Sequence, residues 1–143
     1  MQGPALSESG IAQVYARVPS TVEEKLREVV DGLRRIPGVR GVAVSRRDGL
    51  VIHHSFKSAR EAAPLCAMAA AVVGFSTALY TQVGHGGSFS QAAIESTEDT
   101  LLIAEAGPEA VLACVLAPGG NLGIVRLGIA KAAQRVNEIL EEM

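Results

Sequence analysis

Residues 39–53 read VRGVAVSRRDGLVIH, two short β-branched runs on either side of Asp48-Gly49. Asp-Gly between alternating apolar runs is a strong local hairpin signal, because both central positions of such a two-residue turn need φ > 0. Upstream, Val22, Leu26, Val29, Val30 and Leu33 recur at helical spacing. Thr21 with Glu24 fits a capping box, as Ser20 with Glu23 would one residue earlier, and Pro37-Gly38 ends the pattern. The expectation is a helix over 21–36, then strands over 39–46 and 50–55.

Downstream, Ser58 and Glu61 fit another capping box. Proline is tolerated in the first turn of a helix, so Pro64 places the regular start near Ala62 or Ala63, with the end near Val83. Residues 89–96, 100–105 and 110–116 read as strands, and turns this short make them antiparallel. Asn121 is a good N-cap for a last helix from Leu122 to about Glu142. The fold class is therefore α/β (α+β): a three-layer α/β/α domain, helix-β-β-helix-β-β-β-helix, with a five-stranded antiparallel sheet. Residues 20–143 make one domain. Residues 1–19 read as an N-terminal arm, flexible or a short amphipathic helix with Ile11, Val14, Tyr15 and Val18 on one face.

Composition narrows the function. The 143 residues are 48% hydrophobic and 20% charged, with net charge −2 and no Trp. The mean hydropathy is +0.27. A charged fraction below the usual ~25% points to surface hidden in an oligomer. No basic stripe or aromatic stacking platform argues for nucleic acid. Ala62 to Tyr80 carries no charge, but Ala, Ser, Thr, Gly and Pro dilute it, so it reads as a globular helix and no membrane span is expected. Cys66 and Cys114 lack CxxC spacing and read as buried free thiols of a reducing compartment. With no secretory pattern at the N-terminus, the expected location is cytoplasmic.

The second helix is apolar on every side. Leu65, Met68, Val72, Phe75 and Leu79 define one face, while Cys66, Ala69, Ala70, Val73 and Tyr80 continue round the other. Such a helix needs two covers. One is its own sheet; the other is expected to be a second subunit.

Candidate chemistry is sparse. Gly84-His85-Gly86-Gly87-Ser88 lacks a phosphate-loop lysine and follows a helix rather than a strand. His53 and His54 are adjacent on a strand, so they point to opposite faces and cannot share a metal. Asp48 belongs to its turn, and Glu95 and Glu105 are isolated strand carboxylates. No catalytic, cofactor or metal site is expected.

The stretches Ile36-Pro37-Gly38-Val39 to Gly41-Val42-Ala43 and Arg47-Asp48-Gly49-Leu50-Val51-Ile52, the Ala-rich second helix, and Asn121-Leu122-Gly123 resemble the roadblock family. That family holds the roadblock dynein light chains and the bacterial regulator MglB, and the resemblance covers roughly residues 21–142. It implies a roadblock, profilin-like fold and a homodimer or heterodimer. Second helices stack antiparallel across a two-fold axis, and third strands pair edge to edge. In bacteria and archaea the partner it implies is a small Ras-like GTPase; in eukaryotes the partners include the dynein intermediate chain. The expected function is a non-catalytic, homodimeric regulator of such a GTPase, acting by contact. The alternative is a dimeric scaffold or adaptor of a motor or signalling complex. An enzyme or small-ligand binder lacks a convergent polar cluster to support it.

The expected dimer interface is Leu65, Met68, Ala69, Val72, Phe75, Ser76 and Leu79 on the helix, with Phe89, Gln91 and Ala93 around the third strand. Lys57, Ser58, Arg60 and Glu61 would form a partner-facing rim. No residue is proposed as an inserted arginine finger; Arg47 and Arg60 are candidates only because both are expected to be exposed. Stacking of dimers into tetramers is left open.

Overall fold

A computed structural model describes residues 21–84 and 86–143. The expected N-terminal arm and His85 lie outside the described residues. Helix α1 spans Val22–Arg34. Its cap is the expected one: the Thr21 hydroxyl accepts from the Glu24 N–H at 3.1 Å and donates to the Glu24 carboxylate at 3.0 Å. Leu26, Val30 and Leu33 form its buried row.

Strands β1 (Val39–Arg46) and β2 (Val51–His54) form the hairpin. Its turn is longer than the expected Asp48-Gly49 pair. The Gly49 N–H donates to the Arg46 carbonyl at 2.9 Å, and the Arg46 N–H donates to the Leu50 carbonyl at 2.8 Å. Gly49 takes φ +93°. This is a three-residue loop whose glycine ends the turn as a bulge, and the Asp48 carboxylate closes it by accepting from the Leu50 N–H at 3.1 Å. The Gly49 backbone lies against Ala67, and a Cβ added there would stand 3.0 Å from the Ala67 Cα. The turn thus rests directly on the next helix.

Helix α2 spans Ala59–Val83, starting three residues before Ala62. Pro64 therefore sits inside it, where the missing N–H forgoes the bond to the Arg60 carbonyl. Ala62 and Cys66, buried on either side of Pro64, hold that turn on the sheet. The expected capping box does not form. The Ser58 side chain makes no cap bond, and the Glu61 carboxylate accepts instead from the N–H of Lys57, one residue before the cap, at 3.1 Å.

Strands β3 (Gln91–Glu95), β4 (Thr100–Ala106) and β5 (Ala110–Leu116) follow. Helix α3 spans Leu122–Glu141, capped by the Asn121 side chain accepting from the Ile124 N–H at 3.1 Å. Strand β3 starts two residues later than expected, beyond the buried Phe89.

The sheet order is β2-β1-β5-β4-β3, and every pair is antiparallel. The last strand in sequence, β5, is the centre, which leaves β2 and β3 as edges. Helices α1 and α3 cover one face through Val42, Val44, Leu102, Leu112, Cys114, Val125, Ile129 and Val136. Helix α2 covers the other through Ala69 and Val73 on Ile103, Val111 and Ala113. These are the three expected layers. Burying each Leu, Ile or Val stabilises the fold by about 1.5–3 kcal/mol.

Candidate functional site

Within α2, Ala62, Cys66, Ala69 and Val73 recur every three or four residues and are buried. The opposite row is apolar too. Leu65, Met68, Val72, Phe75 and Leu79 follow 3-4-3-4 spacing, the seam pattern of packed helices. Leu65 and Val72 are half-buried, but Met68 is 67% exposed, Phe75 79% and Leu79 50%. Beside them runs a row of small exposed residues, Ala67, Ala71, Gly74 and Ala78. A Cβ built on Gly74 meets nothing within 4 Å. Projecting side chains beside a row of small ones is the relief that a second helix fills with its own knobs. From Ala78 to Val83 every residue is exposed, including Tyr80 and Val83. The last turns of α2 therefore lack cover from the described residues.

The nearby edge strand is the second element of the surface. Strand β3 pairs with β4 from Gln91↔Ala104 to Glu95↔Thr100, and its other edge is free within the sheet. Ala92 packs on the α2 side and Ala93 on the α1/α3 side. Ile94, in register with Leu101 of the α2-side cluster, is 44% exposed. The strand has no proline, and unpaired N–H and C=O groups on such an edge are a template for another strand.

The structure thus divides the expected interface residues. Met68, Phe75 and Leu79 face outward, flanked by Leu65 and Val72, and Ser76 is half-buried. Ala69 and Phe89 lie inside their own protomer, on the sheet side of α2. Gln91 and Ala93 belong to the α3 side of β3, where the Gln91 amide donates to the Arg126 carbonyl at 3.1 Å. Tyr80, Val83 and Ile94 add to the outward apolar surface. Ile94 was legible as the alternate of Ala93 on a strand of period two. In the rim, Lys57, Arg60 and Glu61 are exposed and Ser58 is the N-cap of α2. Arg47, expected to be exposed, is instead committed. Its guanidinium pairs with Glu105 at 2.6 Å and donates to the Gly107 carbonyl at 3.3 Å. Lying across from β5, this pair pins the hairpin to the β4–β5 turn.

Among the described residues no group of three His, Cys, Asp or Glu side chains could hold a metal. His53 is in register with Val44 on the α1 side, and His54 with Ala43 on the α2 side. The His54 Nδ1 accepts from the Phe56 N–H at 3.0 Å. Partial burial, then the Arg27 charge, lowers the His53 pKa below 6.5. Both cysteines are free and buried. Burial pushes the Cys114 thiol up to about 12 and raises Cys66 as well, against a smaller opposing effect of its hydrogen bond with Ser45. The sheet separates the two thiols.

The family model of the Roadblock/LC7 domain matches residues 25–117. The chain belongs to the Roadblock/LC7 family. This roadblock chain is 31% identical over 115 residues to an uncharacterized protein of Methanocaldococcus jannaschii, spanning 80% of this chain and 96% of that one. Its fold matches the gliding protein MglB of Thermus thermophilus with TM-score 0.77 at 24% identity, covering 88% of this chain and 96% of that one. A structure described as MglB with tetrameric arrangement also gives TM-score 0.77, at 25% identity, covering 87% and 94%. The roadblock, profilin-like α/β fold expected from the sequence is the observed one.

By length and composition α2 could cross a membrane, with a mean hydropathy of 1.8 over its most apolar window. In the roadblock fold its buried row is seated on the sheet. The opposite apolar face, with Met68, Phe75 and Leu79, is left exposed.

Proposed function

We propose that this roadblock domain is a non-catalytic, homodimeric regulator of a small Ras-like GTPase and works by protein contact in the cytoplasm. The observation that carries the reading is the outward row of α2, with Met68, Phe75 and Leu79 exposed beside Ala71, Gly74 and Ala78. A two-fold axis lets one such surface cover itself, since the same patch serves both subunits. The free edge of β3 supplies matching backbone groups for its copy. Kinship with the Roadblock/LC7 family and the MglB fold supports a regulator more than a catalyst. In the dimer, the exposed Lys57, Arg60 and Glu61 at the start of α2 would meet the partner. Arg60 makes no ion pair with the described residues, whereas Arg47 is held by Glu105.

The test is binding and turnover with the small GTPase encoded nearest this gene. Co-sedimentation with the GTPase loaded with a GTP analogue, together with a changed hydrolysis or exchange rate, is the expected result. A dimer that binds the GTPase without changing either rate moves the function to the scaffold. A dimer that ignores every nucleotide state removes the GTPase reading altogether.

A further inference from the structure

Arg126 on α3 and Glu95 at the end of β3 are exposed charges with no ion pair among the described residues. Arg126 lies beside the start of β3. The Gln91 amide donates to its backbone carbonyl at 3.1 Å, and its guanidinium donates to the Gln91 Oε1 at 3.5 Å. Glu95 closes the other end of the strand, in register with Thr100. Glu98 and Asp99 follow it in the turn, where Asp99 stands 3.9 Å from Arg40. The free edge of β3 therefore has a basic end, supplied by α3, and an acidic end. Side chains alternate along a strand, so Gln91, Ala93 and Glu95 share the α3 side.

In the dimer proposed above, on which this inference rests, two β3 edges meet. A two-fold axis normal to the sheet runs the two strands antiparallel and keeps both α2 helices on one face. A parallel pairing would put those helices on opposite faces and set Glu95 against its own copy. Residues directly across an antiparallel pair share a face. Centring the pair on Ala93 then sets all of β3 against its copy: Ala93 meets itself, Ala92 meets Ile94 and Gln91 meets Glu95. Moving the centre to Ala92 or Ile94 leaves part of each strand unpaired. Directly opposed Cβ atoms stand ~4.5–5.5 Å apart. The partner's Glu95 thus arrives beside the Gln91 side chain that the Arg126 guanidinium already touches.

We infer that Arg126 pairs with the partner's Glu95, so that two symmetric ion pairs flank the two-fold axis and select a second copy of this chain. A strand with a basic residue in place of Glu95 would meet Arg126 with like charge and be rejected.

The test compares the full chain with Glu95→Arg and Arg126→Glu, alone and mixed, by sedimentation equilibrium. Alone, each variant sets like charges against each other twice per dimer. Its dimer dissociation constant should rise about tenfold or more. Mixed in equal amounts, the two should form a heterodimer of near-parental affinity, because an arginine then faces a glutamate at both sites. Mixing would not rescue a merely structural loss in either chain. Unchanged affinity in both variants overturns the ion pair and leaves the α2 dimer standing, as do variants that dissociate and stay apart on mixing. A monomeric parent removes the dimer itself, and the pair with it. Where Arg126→Glu fails to fold by circular dichroism, Arg126→Gln and Glu95→Gln decide. The parent's dissociation constant should climb more steeply with NaCl than that of either variant. Equal slopes contradict the pair.

Discussion

Val73 and Phe75 stand two residues apart on α2 and face opposite ways: Val73 is fully buried on the sheet, and Phe75 is 79% exposed. The pair marks the boundary between the domain's own core and the exposed apolar surface proposed to meet a second copy. Truncating each should have different consequences. Val73→Ala removes packing from inside the protomer and should cost about 2 kcal/mol at every protein concentration. Phe75→Ala should lower stability only in so far as it weakens association, so its effect should grow with protein concentration. Chemical denaturation at several concentrations separates the two.

The cysteines should be silent in the native protein. Burial raises both thiol pKa values, Cys114 to about 12, and a thiol that stays protonated is a poor nucleophile. At pH 8 a thiol reagent should leave the native chain unlabelled and take up two equivalents only after denaturation. Fast labelling of one cysteine in the native state would place it at the surface instead.

His53 should make the domain acid-sensitive. Its folded pKa lies below 6.5 because of partial burial and the Arg27 charge. The unfolded state therefore binds the proton first. The stability contribution of neutral His53 is full above pH 6.5 and is lost as pH falls through the lower folded value. His53→Gln should flatten this part of the pH–stability curve, as measured by denaturant midpoints from pH 7.5 to 5. An unchanged slope would assign the acid sensitivity to other groups.

The helix caps are separable from the interface. Asn121→Ala removes the acceptor for the Ile124 N–H and should cost about 1 kcal/mol. Ser58→Ala should be nearly neutral, because the Ser58 side chain makes no cap bond. Thermal midpoints of the two variants give the comparison.

How much of this was legible in the sequence depends on contrast. Helix α1 has a polar face and an apolar face, so Leu26, Val30 and Leu33 identified its buried row directly. Strands β4 and β5 were bounded by Asp99, Gly107 and Pro118, and the layer order followed. Helix α2 is apolar all round, so spacing could not say which row meets the sheet. Ala69 fits either pattern and turned out to lie inside. Its start was also hidden, because Pro64 suggests a first turn while the packing of Ala62 and Cys66 carries the helix past it. The hairpin was clear in Asp48-Gly49, but its loop length was not. That depends on how the turn settles against Ala67, a contact distant in sequence. Arg47 was expected to be free for the same reason: Glu105 reaches it only once β1 and β5 are paired.

The most direct test of the α2 surface is sedimentation equilibrium of the full chain beside Met68→Asp and Phe75→Asp. The account predicts a parent species of twice the 14.8 kDa chain mass, or a multiple of that dimer, and folded monomers for both variants. A parent that stays at the monomer mass across the concentration range would contradict it, as would folded variants that keep the parent's dimer.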